Sequence, residues 1–158
     1  MSYRIKAASA AQDVADARKL IRAYTDALGI DLTFQDLEGE LDNLPGEYAP
    51  PGGALLIGRD DAGAAIGCVG LRKIGDGLCE MKRLYVTPAA RKTGLGRALS
   101  ESVIAKAREL GYREMRLDTI SDMAAAIGVY RALGFRRIPP YYDTPVADTI
   151  FMSLSLAP

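Results

Sequence analysis

The run Met81–Arg97, M-K-R-L-Y-V-T-P-A-A-R-K-T-G-L-G-R, constrains this chain more than any other stretch. An apolar strand pattern ends at Val86, Pro88 interrupts it, and R-K-T-G-L-G leads into a helical pattern that begins near Gly94. Backbone amides at such a helix start have no intrahelical acceptors. The helix dipole adds partial positive charge there, so an anion is the natural ligand. Arg91, Lys92 and Arg97 add full charges at the same place, and two glycines let a ligand approach the backbone closely. The pattern predicts a site for a phosphorylated group.

Two common phosphate patterns fail on these residues. The dinucleotide pattern G-x-G-x-x-G lacks its third glycine, because Leu99 follows Gly94 and Gly96 at that spacing. The P-loop pattern lacks the Gly-Lys-Ser/Thr ending. What remains is R-x-x-G-x-G, formed by Arg91, Gly94 and Gly96, five residues after the end of an apolar strand.

The chain of 158 residues is read as a single domain over 1–158, long enough for a substantial core. No apolar run reaches the roughly 20 residues of a membrane span, and the N-terminus lacks an apolar signal core. A cytoplasmic protein without membrane partners is therefore expected. Cys68 and Cys79 form neither a disulfide framework nor a metal-spaced cluster, and they read as reduced, half-buried strand residues. No metal site is expected. Histidine is absent, which removes His-based triads and leaves proton transfer to Glu, Asp, Tyr, Lys, Cys or water. The net charge of zero hides a positive block: residues 81–116 carry +6, whereas residues 1–80 carry −5. That block coincides with the phosphate cradle. A pI near 6.3 and few aromatics argue against nucleic acid as the partner.

Tyr3–Ala7 alternates as a first strand, and apolar residues from Ala10 to Leu28 recur at helical spacing until Gly29. A shorter helix is predicted from Phe34 to Leu44, stopped by Pro45-Gly46. Three strands follow as an antiparallel meander over Ala54–Arg59, Ala65–Lys73 and Leu78–Val86. The cradle helix runs from about Gly94 to Leu110, with Gly111 as its stop. Glu114–Thr119 is a strand that must pair parallel to Leu78–Val86, since a helix joins them. A last helix, about Asp122 to Leu133 and capped by Ser121 or Asp122, precedes strands at Phe135–Ile138 and Thr149–Leu156.

The cradle motif, preceded by L-Y-V-T-P and followed by an amphipathic helix, resembles the acetyl-CoA motif of the GCN5-related N-acetyltransferase (GNAT) family. The order β-α-α-β-β-β-α-β-α-β-β is similar to that family's fold, an α/β architecture with a mixed sheet and helices on both faces. The likeness is clearest from Glu80 to Phe135, where Y-R-A-L-G-F (Tyr130–Phe135) resembles the family's closing signature. The L-D-T-I-S-D-M and Y-Y-D-T-P stretches resemble a bacterial subgroup of mostly unassigned acceptor.

The resemblance implies acetyl-CoA as co-substrate and transfer of its acetyl group to an amine, by direct attack in a ternary complex. It implies that the strand before the cradle splays from its parallel partner, with backbone groups of Leu84, Tyr85 and Val86 on pantetheine. The Leu84 amide would polarise the thioester carbonyl, and amides from Lys92 through Thr93, Gly94, Leu95 and Gly96 to Arg97 would hold the pyrophosphate. Tyr130 would sit beside the sulfur and protonate the departing thiolate, although its place on an apolar stripe also suits mere core filling. Glu80 stands where the histone acetyltransferase branch carries its general base; the alternative is a strand glutamate paired with Lys82 or an arginine. Met123 replaces an asparagine that in many relatives binds pantetheine, leaving Thr119 or Ser121 to supply a polar contact.

Seven acidic residues and no basic ones fall between Asp26 and Glu47, on and around the second helix. In the fold that the resemblance implies, this region borders the acceptor cleft. An acidic lip including Glu38, beside Phe34, would steer a cationic amine, although a solvated helix face explains the same residues. Tyr48, Tyr141 and Tyr142 are candidate walls of that cleft. The family resemblance also admits a homodimer, and a non-catalytic acetyl-CoA sensor on the same scaffold is the alternative to the enzyme.

Overall fold

The computed structural model describes residues 2–157. Seven strands form one mixed sheet: β1 (Tyr3–Ala7), β2 (Ala54–Asp60), β3 (Ala65–Gly75), β4 (Leu78–Val86), β5 (Glu114–Ile120), β6 (Arg136–Ile138) and β7 (Thr149–Ser155). Their order across the sheet is β1-β2-β3-β4-β5-β7-β6. Only β4 and β5 run parallel, as a connecting helix requires.

Four α-helices cover the sheet: α1 (Ala11–Leu28), α2 (Leu37–Asp42), α3 (Leu95–Glu109) and α4 (Ala124–Ala132). Strand alternation divides the core into two layers. Leu55, Ile57 and Cys68 face α1 and α2, meeting Ala17, Leu20, Ile21 and Leu41. Leu56, Val69, Leu71, Met81, Met115 and Leu117 face the other way, meeting Leu95, Leu99 and Val103 of α3. The cradle helix is thus pinned on one face of the sheet, while α1 and α2 build the opposite face.

Helix α1 starts where the Asp13 carboxylate accepts hydrogen bonds from the Ser9 and Ala10 amides, at 3.0 and 3.1 Å. It ends at Gly29, whose φ of 64° is left-handed. The second helix is shorter than the apolar spacing predicts. A 3-10 turn over Thr33–Gln35 is separated from α2 by Asp36, which is itself left-handed at φ 52°. Helix α4 also departs from expectation. Met123 occupies its N-cap, with no side-chain hydrogen bond from Ser121 or Asp122, so the helix begins at Ala124. Both cysteines are free thiols and fully buried rather than half-buried; burial pushes each thiol up to about 12. Among the described residues no helix is long and apolar enough to cross a membrane.

Candidate active site

The site is built on an interruption between the two parallel strands. β4 and β5 pair only at Leu78–Glu114, Cys79–Met115 and Glu80–Arg116. Beyond that point β4 stays with β3 as far as Val86, and β5 stays with β7 as far as Ile120. The edges of Lys82–Val86 and Leu117–Ile120 therefore separate, opening the sheet at its centre. A bulge sharpens the divergence. Cys68 opposes Tyr85 and Gly70 opposes Lys82, so β4 carries one residue more than β3 over this interval. Arg83 absorbs it in a left-handed conformation, φ 61°, and its carbonyl accepts a hydrogen bond from the Cys68 thiol at 3.4 Å.

The chain then turns into the cradle. Pro88–Ala90 form a 3-10 turn, and Lys92 and Gly94 are left-handed at φ 66° and 88°. Thr93 Oγ1 donates to the Ala90 carbonyl at 2.6 Å, fixing the turn from within. Gly94 is the N-cap of α3 and supplies no capping side chain; the Leu95 amide donates to Thr93 Oγ1 at 3.4 Å, and the Gly96 and Arg97 amides have no intrahelical acceptor. A Cβ on Gly96 would lie 3.7 Å from Val86 Cγ2, an ordinary contact. The protein itself thus leaves room at Gly96 for a side chain, and the space in front of it suits a ligand. Arg91 and Lys92 are exposed, and Arg91 Nε donates to the Val86 carbonyl at 3.2 Å with its guanidinium 5.9 Å from the Tyr85 ring centroid. Arg97 is also exposed and pairs with Glu101 at 2.8 Å. A left-handed turn, a helix start and three cations fit a diphosphate, and the opened strand edge at Leu84, Tyr85 and Val86 fits an extended chain lying beside it.

On the α1–α2 side the opening widens into a cavity whose walls include Tyr24, Phe34, Arg83, Asp118, Met123 and Tyr142. Tyr130, on α4, belongs to the core layer against α3 and does not line this cavity, although it lies near Tyr24 and Asp118 of its wall. Its ring meets Phe135 edge-on at 5.8 Å, and the residue is only 7% exposed. Burial first, then neighbouring Tyr24 and Asp118, push its phenol upward, so it remains protonated.

Other residues singled out from the sequence lie elsewhere. Glu80 is buried in an ionic network: Arg72 Nε donates to Oε1 at 2.8 Å, Tyr141 Oη donates to Oε2 at 2.5 Å, and Lys82 Nζ stands 3.9 Å away. Both oxygens are engaged, and Glu80 does not line the cavity. Tyr48 is 1% exposed in the core beneath Gly70, whose added Cβ would meet its ring at 2.8 Å. Glu38 is an exposed partner of Arg22 at 2.6 Å and also lies away from the cavity. Glu40 and Glu47 are likewise paired, with Arg83 and Arg72, which weakens the acidic lip. Phe34 and Tyr142 reach the cavity wall; Tyr141 does not line it, and its hydroxyl goes to Glu80.

Asp118, Tyr24 and Arg83 were not among the candidates from sequence. The alternation of β5 holds the signal for Asp118: Met115 and Leu117 point into the α3 core, so Asp118 must face the other way. Arg83 carries no comparable signal, because its direction is set by the bulge. Among the described residues no group of three or more His, Cys, Asp or Glu side chains is arranged to hold a metal ion.

The family model described as acetyltransferase (GNAT) family matches residues 17–135. An uncharacterised N-acetyltransferase of Schizosaccharomyces pombe is 40% identical over 154 residues, spanning 97% of this chain and 94% of its own. One from Dictyostelium discoideum is 28% identical, spanning 96% and 99%. Among solved structures, a GNAT-family acetyltransferase of Staphylococcus aureus shares the fold with a TM-score of 0.82 at 21% identity, covering 99% and 100%. A phosphinothricin acetyltransferase of Sinorhizobium meliloti, solved in complex with acetyl-CoA, gives 0.70 at 21% identity over 98% and 89%. The chain belongs to the GNAT family of acetyltransferases, and its reaction is the transfer of an acetyl group from acetyl-CoA.

Proposed function

We propose that this acetyltransferase works as one domain on an amine, either a small molecule or a peptidyl group, which attacks the thioester directly in a ternary complex. The observation that supports this most is the opening between β4 and β5, with a phosphate cradle at one end and a separate cavity on the α1–α2 face. Two substrates can therefore enter from different sides and meet at the bulge. In this reading amides of Lys92–Arg97 bind the diphosphate, and the edge of Leu84–Val86 binds the pantetheine arm. The Leu84 amide donates to the thioester oxygen, where a preorganised donor lowers the barrier by roughly 3–4 kcal/mol. Tyr130 gives its phenolic proton to the departing sulfur. Met123 contributes an apolar contact, with Thr119 as the nearby polar side chain on the cavity wall.

Glu80 takes a different role from general base. Both of its oxygens are bonded, 3% of its side chain is exposed, and it does not line the cavity, which supports a positioning role. We assign it to holding the 139–148 segment on the sheet through Tyr141. The free, buried thiols accord with a reducing, cytoplasmic setting. A homodimer would have two sheet edges to build on, β1 and β6. Thiol release from acetyl-CoA in the presence of a panel of primary amines tests the function. Amine-dependent release supports it, and release indifferent to every amine contradicts it.

A further inference from the structure

The acids around the opening differ in one respect. Glu40 is bound by the Arg83 fork at 2.9 and 3.0 Å, Glu80 by Arg72, Glu47 by Arg72 and Glu114 by Arg116. Asp118 has no ion-pair partner among the described residues. Its one side-chain hydrogen bond comes from Tyr142 Oη, at 2.5 Å to Oδ2. It is nevertheless half-buried, on the wall of the acceptor cavity, at the point where β5 has left β4. A carboxylate withdrawn from water without a cation is costly unless a cation arrives.

The other ionisable groups facing Asp118 do not fill that role. Tyr24, Tyr130, Tyr141 and Tyr142 are phenols held protonated by burial. Arg83 is occupied by Glu40, and buried Lys82 lies against Glu80. Beyond Asp118 the walls are mixed: Leu28, Ile30, Phe34 and Val146 alternate with Gln35, Thr119, Thr144 and Thr149, and none of these carries a charge.

We propose that Asp118 receives the acceptor's ammonium group and takes its proton, and that the acceptor is a primary amine whose body carries no further charge. This rests on the amine-acetylation reading above. The ammonium nitrogen gives one proton to Asp118 and becomes a neutral amine. Its lone pair forms the N–C bond to the acetyl carbonyl as the C–S bond breaks. Tyr130 gives its proton to the departing sulfur, the second nitrogen proton passes through water to restore the Tyr130 phenol, and Asp118 returns its proton to water. The products are the amide, free CoA and one proton.

The test uses the whole protein saturated with CoA, which cannot react, and calorimetry with phenethylamine and its uncharged counterpart phenethyl alcohol. The wild type should bind the amine at least about tenfold more tightly than the alcohol, and Asp118→Asn should bind both alike. Because the ratio is taken within one variant, a loss of folded protein cancels. An equal preference in Asp118→Asn, or none in the wild type, overturns the proposal. In turnover, Asp118→Asn should lose about 100-fold near neutral pH. That deficit should shrink as rising pH supplies the free amine; a deficit that is constant with pH overturns the proton-taking role. A wild type that prefers the amine yet releases no thiol would leave the ammonium site standing and end the acetylation reading instead.

Discussion

Tyr141 Oη donates a hydrogen bond to Glu80 Oε2 at 2.5 Å, joining a loop and a strand 61 residues apart. Its neighbour Tyr142 makes the matching bond to Asp118 across the opening. The two rings and Phe151 meet edge-on, with centroids 5.2–5.5 Å apart. One aromatic cluster therefore holds the segment after β6 against both of the strands that diverge.

Glu80 should report on stability more than on rate. Glu80→Gln leaves buried Lys82 without its nearest anion and half-buried Arg72 with Glu47 alone, a loss of about 3 kcal/mol in urea unfolding. Tyr141→Phe should cost about 2 kcal/mol. Turnover per folded molecule should fall less than about tenfold in either variant, whereas loss of a true general base costs about 100-fold or more. Stable Glu80→Gln protein with a rate loss of that larger size would restore the base assignment.

Tyr130→Phe should lower kcat by about 100-fold while acetyl-CoA affinity changes little, because the change removes one proton donor and keeps the ring. The upward shift of the phenol sets the pH response: a protonated donor persists through alkaline assay conditions, so the wild type should show no loss assignable to this tyrosine between pH 7 and about 10. Equal kcat in the two proteins would make Tyr130 a core residue only.

Asp13 should make the fold sensitive to strong acid. Backbone hydrogen bonds from Ser9 and Ala10, then the Arg59 guanidinium, hold its carboxyl at about 2, below its ordinary 3.8. The stability it contributes is present above that ordinary value and is lost as pH falls through about 2. Asp13→Ala should therefore cost about 1 kcal/mol at neutral pH, the size of a helix cap, and nothing below pH 2. Thermal melts of both proteins across this range check it, and a gap independent of pH would contradict it.

Gly94 and Gly96 should separate folding from binding. Gly94 needs its left-handed φ, so alanine there strains the fold by about 1 kcal/mol. Gly96 has ordinary helical geometry and room for a methyl against Val86. Gly96→Ala should leave the melting temperature unchanged or slightly higher. Its acetyl-CoA affinity should still fall about tenfold, since the methyl enters the space a diphosphate would use. Calorimetry and melting on the same samples distinguish the two glycines.

Much of this was written into the order of residues. Helix spacing around α3 and the helix between β4 and β5 dictate a cradle beside a parallel pair, and the three-strand meander follows from its turns. The length of that pair does not follow, because an opening after three residues depends on the bulge at Arg83. No propensity places an arginine in a left-handed conformation; the Cys68 thiol and the Glu40 carboxylate hold it there. Tyr48 misleads for a similar reason, since a tyrosine in a Pro/Gly-rich loop near the acidic helix reads as a cleft wall until Gly70 is seen to make space for its ring in the core. Glu80 was visible as a strand acid, but its partner Arg72 comes from register and its partner Tyr141 from a distant loop.

The most direct measurement is the electron density of crystals soaked with acetyl-CoA. The diphosphate should lie against the amides of Lys92–Arg97 and the pantetheine arm beside Leu84–Val86, with the thioester facing Tyr130. Density for the diphosphate elsewhere, or a pantetheine arm outside the gap between β4 and β5, would contradict that placement.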